Sequence, residues 1–153
     1  MAHYAKLGID NVVLEVLTMD NITTMTPGGI EKEEIGIAHL IENHGHANWK
    51  KCSYNTLAGV HMNGGTPFRA NYPGIGDIYN SEHDIFHRPR PTDADGDIMN
   101  SHTLNTTTGE WDPPFAPPAL TTEQQTAKSS YRWDESVWVS DNSKGWVLQT
   151  YPE

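Results

Sequence analysis

The sequence predicts an α+β fold, mostly antiparallel β, with one α-helix over about residues 32–43 packed on the sheet and a Pro/Trp-rich C-terminal β arm or subdomain. Three observations point there. One stretch of the 153 residues spaces its apolar side chains convincingly at helical intervals. Elsewhere, short β-branched and aromatic runs are separated by turn formers, among 13 Gly and 10 Pro. The apolar share is 36% and the mean hydropathy −0.61, which suits short strands and loops better than a helical bundle. The change in composition near residue 91 divides the chain into an N-terminal β-rich domain with the helix, 1–91, and a Pro/Trp-rich extended arm with a C-terminal β-hairpin, 92–153.

The opening reads as a β-hairpin. Tyr4 to Leu7 forms one strand, Gly8-Ile9-Asp10-Asn11 supplies the turn, and Val12 to Leu17 is apolar and β-branched enough for a well-buried partner. Thr26-Pro27-Gly28-Gly29 is a loop. The helix follows. Glu31, Glu33 and Glu34 crowd its first turn, where negative charge suits the helix dipole. Ile37, Leu40 and Ile41 make its apolar stripe and Gly45 caps it. Gly36 weakens this segment by about 1 kcal/mol relative to Ala.

Short strands are expected next, at Trp49–Tyr54 and Pro67–Tyr72. A second hairpin follows, from Gly74–Tyr79 through the turn Asn80–His83 to Asp84–His87, and Arg88-Pro89-Arg90-Pro91 ends it. Trp111-Asp112-Pro113-Pro114-Phe115-Ala116-Pro117-Pro118 is an extended segment of polyproline character. The strand-like runs Tyr131–Asp134, Val137–Val139 and Lys144–Leu148 suggest a last antiparallel pair around Ser140–Ser143.

Charge excludes some partners. Twenty acidic against ten basic residues leave a net charge of −10, and the densest basic spot is only His87-Arg88-Pro89-Arg90. Gripping a phosphate backbone or an anionic membrane needs clustered Lys and Arg, so neither nucleic acid nor membrane is an expected partner. Cys52 is the single cysteine, which leaves no intrachain disulfide and no cysteine-based zinc site; its alternating neighbours make it a small core filler. The amino terminus lacks the apolar stretch of a signal peptide.

Candidate catalytic constellations are weak. His44 and His46 form an H-x-H pair, and His83 and His87 are four apart. On a strand that second spacing sets ligands ~13 Å apart, so hydrogen-bonding or surface histidines are expected. Asp93-Ala94-Asp95-Gly96-Asp97 has a calcium-like look, but its Gly falls at loop position 4 and Leu104 stands at position 12, where a calcium loop carries Glu. A solvated acidic turn is the expectation. Neither a G-x-S-x-G elbow nor a complete phosphate loop occurs. No catalytic residue, metal or cofactor is expected; the enzyme reading that the residues would allow is a metal hydrolase using His83, His87 and a nearby carboxylate.

Several motifs occur in a characteristic order. Met1-Ala2-His3-Tyr4-Ala5-Lys6-Leu7 and Asn11–Val16 come first, then Gly29–Ala38, Trp49–Asn55 and Phe68–Gly76. Tyr79–Phe86, the proline runs and Tyr131-Arg132-Trp133-Asp134-Glu135 complete the series. In this order the chain resembles a family of small virion-associated or hypothetical proteins of marine tailed phages of the cyanophage type. The resemblance implies a non-enzymatic virion structural protein, with capsid decoration or cement favoured over a tail component. It carries no catalytic residues.

The partners so implied are other virion proteins, either the major capsid protein or tail and neck proteins. The chain is expected as a homo-oligomer or bound to a lattice, in a virion assembled in the host cytoplasm. Partner-binding candidates are Trp111, Pro113, Pro114, Phe115, Pro117, Pro118, Trp133, Trp138 and Trp146, with residues 112–119 expected to pack on another chain and Trp111 and Phe115 as anchors. Prolines limit the unbound conformations of such an arm, so less entropy is lost when it docks. A proline connector lying on its own domain is the competing expectation. The alternative function is a carbohydrate-binding host-recognition module that uses Trp111, Trp133, Trp138 and Trp146, since aromatic faces stack on sugar rings.

Overall fold

The computed structural model describes residues 1–151 and is an α+β structure with mostly antiparallel sheet, one longer helix and two short ones. It divides into two compact units. The first comprises residues 1–89 and 105–110, and the second residues 90–104 and 111 onward.

In the first unit, β1 (Ala2–Leu7) pairs antiparallel with β2 (Val13–Met19) and with β3 (Trp49–Cys52), giving the order β2-β1-β3. The β1–β2 turn is the expected one, with Asp10 and Asn11 in the left-handed region (φ 55° and 58°), where short polar residues are tolerated. The helix α1 (Glu33–His44) covers one face of the sheet. Ala2, Tyr4, Leu40 and Trp49 are buried there, with Leu17, Met19 and Ile37 beside them. The other face packs Ala5, Leu7, Val13 and Cys52 against Tyr79 and Phe86, from the hairpin β6 (Ile78–Asn80) and β7 (Ile85–His87). Between them, β4 (Thr56–Leu57) and β5 (Val60–His61) form a small hairpin.

Three expectations for this unit are corrected. The strand β2 is not well buried, since Val13 alone is buried, Leu14 is exposed and Val16 and Leu17 are half-buried. Ile41 lies outside the core at 41% exposure. The helix turns its 33-36-37-40 side to the sheet because Tyr4 is seated directly on Gly36, where an added Cβ would overlap the phenol. Thus the glycine that weakens the helix also makes room for its docking. The segment 67–72 is not a strand, since Arg69 and Ala70 adopt φ of 52° and 62°. That turn sends the Arg69 guanidinium inward, where it donates to Glu33 (2.7 and 3.1 Å), Asp84 (2.7 Å) and the Lys51 carbonyl (2.8 Å).

The second unit contains β8 (Thr103–Leu104) paired with β9 (Trp111–Asp112), and β10 (Ser130–Trp133) paired with β11 (Trp146–Gln149), with Trp133 opposite Trp146. Residues 137–139 are not strand but part of the helix α3 (Glu135–Ser140). Asp134 overrides their β-branched composition by accepting at its side chain from Val137 N, an N-cap. A further short helix, α2 (Thr122–Thr126), is closed by reciprocal bonds between Thr121 and Gln124. Among the described residues, no helix is long and apolar enough to cross a membrane.

Candidate functional site

The partner-binding candidates all fall in the second unit, and the structure brings five of its rings together. Trp133, only 4% exposed, is the hub. Its ring lies 5.2 Å from His102, 5.3 Å from Trp146, 5.6 Å from Phe115 and 5.7 Å from Trp138, centre to centre. These are edge-on or tilted contacts, the arrangements that ring quadrupoles favour. Strand pairing explains much of the cluster, because Trp133 and Trp146 face each other across β10 and β11. One turn of α3 then carries Trp138 back to Trp133.

Phe115, expected to anchor on another chain, packs here on Trp133 and Trp138 of its own unit. Trp146 fixes it further by donating from Nε1 to the Phe115 carbonyl (2.9 Å). Trp111 lies apart, half-buried in β9, with the Arg90 guanidinium 4.3 Å over its ring. Arg90 is itself held by the carbonyls of Met99 (3.0 Å) and His102 (2.6 Å). Pro113 is half-buried, whereas Pro114, Ala116, Pro117, Pro118 and Ala119 are exposed. The proline run is therefore a short exposed ridge pinned at its centre by Phe115.

Beneath the rings is a buried acidic knot that sequence reasoning missed. Glu135, 5% exposed, accepts from Trp133 Nε1 (2.8 Å), Ser101 N (2.9 Å) and Ser101 Oγ (2.6 Å). Burial pushes its carboxyl up, but the hydrogen bonds of Ser101 and Trp133 outweigh this and hold it below the usual range. Asp93 accepts from the backbone N–H of Glu135 (2.9 Å), Asp95 (2.9 Å) and Asp97 (3.0 Å), and those bonds, the one from Glu135 foremost, keep its carboxyl low. The expected solvated turn is thus corrected at Asp93, which is buried, while Asp95 and Asp97 stay exposed. No local signal marks it, because its partner is 42 residues away.

Carboxylate oxygens of Asp93, Asp95 and Asp134 lie within 4.8 Å of one another, close enough to share a cation. Arg132 already supplies positive charge there, 3.3 Å from Asp95 and 3.6 Å from Asp134. Ser101, His102 and Glu135 do not form a nucleophile set. The Ser101 hydroxyl donates to Glu135 and so can only accept from His102 Nδ1 (3.0 Å), whereas an activated hydroxyl must donate to the imidazole. Of the other histidines, His83 is exposed and His87 is buried in β7, its Nδ1 2.6 Å from the Arg88 carbonyl.

Comparison with family models, with curated proteins and with solved structures finds no match to this chain.

Proposed function

We propose that the chain is a non-enzymatic structural component of a phage virion, a capsid decoration or cement protein in preference to a tail component. The observation that carries the reading is the pinned ridge. Pro114, Ala116, Pro117, Pro118 and Ala119 are exposed on both sides of an anchored Phe115, so an apolar proline-rich segment is held ready for a neighbouring protein. Prolines and the Trp146 bond restrict it before docking, which lowers the entropy lost on assembly. The resemblance of its motif order to small marine tailed-phage proteins is what suggests the virion context.

The Pro/Trp-rich arm of this reading is the ridge, docked through its exposed prolines, while Phe115, Trp133, Trp138 and Trp146 hold it from beneath. The sugar-binding alternative has less support, since stacking needs an open ring face and Trp133 is ringed by four other aromatic side chains.

Pro117→Lys with Pro118→Lys tests the proposal without touching the rings. The doubly substituted chain keeps the near-ultraviolet dichroism of the tryptophan cluster and fails to enter particles. Normal incorporation overturns the ridge as the docking element, and a specific glycan-array signal from the unaltered chain favours host recognition instead.

A further inference from the structure

The two outer edges of the first unit's sheet are finished differently. At β3 the outward groups of Lys51 are occupied, its N–H by the Glu33 carboxylate (2.9 Å) and its carbonyl by Arg69 (2.8 Å). At β2 the first outward residue, Val13, is likewise occupied, by Asp77 O and Gly76 N (2.8 and 2.9 Å). A bulge between the Lys6–Glu15 and Leu7–Val13 pairs then shifts the alternation by one. Beyond it, Glu15, Leu17 and Met19 address β1, and Val16 and Thr18 turn their N–H and C=O outward. No described residue pairs with those four groups. An unpaired edge of this kind templates another strand unless charge, proline or a cover blocks it.

We infer that this edge pairs with the same edge of a second copy of the chain, antiparallel about a two-fold axis at Leu17. The self-pairing follows from its register. With Leu17 opposite Leu17 of the other copy, Val16 stands opposite Thr18, and all four outward groups of each strand find partners in four new hydrogen bonds. Glu15 then falls opposite Met19, so the only ionisable residue of Val-Leu-Glu-Val-Leu-Thr-Met does not meet its own copy. Lys6 also neutralises it at 3.1 Å. In a chain of net charge −10, this is a stretch where two copies approach without like charges opposed. The result is a continuous six-stranded sheet, β3-β1-β2 joined to its symmetry mate. The inference does not rest on the virion reading.

The test uses the full chain. Leu17→Cys under mild oxidation should give a covalent dimer, because the two sulfurs face across a close pair; Glu15→Cys should not, its copies lying ~13 Å apart. Cys52 is buried and its thiol pushed up to about 12, so it stays silent. In the unaltered chain, the Val16 and Thr18 amides should exchange more slowly as concentration rises, while Leu17 is unchanged. Sedimentation should show dimer, lost on Thr18→Pro, which removes an outward donor at an exposed residue. Equal cross-linking of both cysteine variants, or Val16 and Thr18 exchange independent of concentration, overturns the inference.

Discussion

Replacing Arg69 by Ala tests what holds the left-handed turn at 69–70. The side chain is only 9% exposed and donates to two carboxylates and a carbonyl. Asp84 is 59% exposed, so its pair with Arg69 contributes no more than about 1 kcal/mol. Glu33 is mostly buried and would keep only the Lys51 N–H, which places its loss near the lower end of the ~3–5 kcal/mol for breaking a buried pair. Partial solvent access to Glu33 absorbs some of that, leaving a total of about 3 kcal/mol. With a urea m-value of about 2 kcal/mol per molar, the unfolding midpoint of the first unit should fall by about 1.5 M. Arg69→Gly should lose about 1 kcal/mol less, because the φ of 52° suits glycine. Urea titration followed by far-ultraviolet dichroism measures both. A loss below about 1 kcal/mol for the Ala variant would refute the claim that this network holds the turn.

Acid should weaken the first unit by a defined route. Glu33 and Asp84 are pushed up by burial but held below their ordinary values overall, Glu33 by Arg69 and the Lys51 N–H, Asp84 by Tyr79 and Arg69. A depressed carboxyl stabilises above its unfolded pKa and loses that contribution as pH falls through the folded one, so stability should be flat near neutrality and decline below about pH 4. Glu33→Gln should flatten that decline in a pH series of urea midpoints. Gly36→Ala should destabilise by about 1–3 kcal/mol despite better helix propensity, because its Cβ overlaps the Tyr4 phenol. Tyr4→Phe should be neutral or stabilising in thermal melts, since the buried Tyr4 hydroxyl has no hydrogen-bond partner among the described residues. Asp93→Asn should cost the second unit about 2 kcal/mol, because one carbonyl oxygen cannot accept all three backbone N–H bonds; tryptophan fluorescence during unfolding reads this change.

Local rules made much of the first unit legible. The Ile37–Leu40 spacing and Gly45 placed α1 to within a residue at each end, and the β-branched run from Val12 with the Gly8–Asn11 turn placed the first hairpin. What the sequence hid depends on distant partners. Residues 67–72 read as strand because nothing nearby reveals that Arg69 turns toward Glu33, 36 positions away. Val137–Val139 read as strand on their β-branching alone, whereas the Asp134 side chain, three residues before Val137, is a local cap signal that starts a helix. The same holds for Thr121 and Gln124, whose spacing announces α2. Among the tryptophans, composition offers no means to separate the buried hub Trp133 from half-buried Trp111, since only the pairing of β10 with β11 makes that distinction.

The central claim, that this chain is a structural part of a virion bound through its proline ridge, is tested most directly by quantitative mass spectrometry of purified particles. Particles are grown with the unaltered chain or with Pro117→Lys and Pro118→Lys. The account predicts the unaltered chain at a fixed ratio to the major capsid protein and the substituted chain at background. Absence of the unaltered chain from particles, or equal amounts of both, would contradict it.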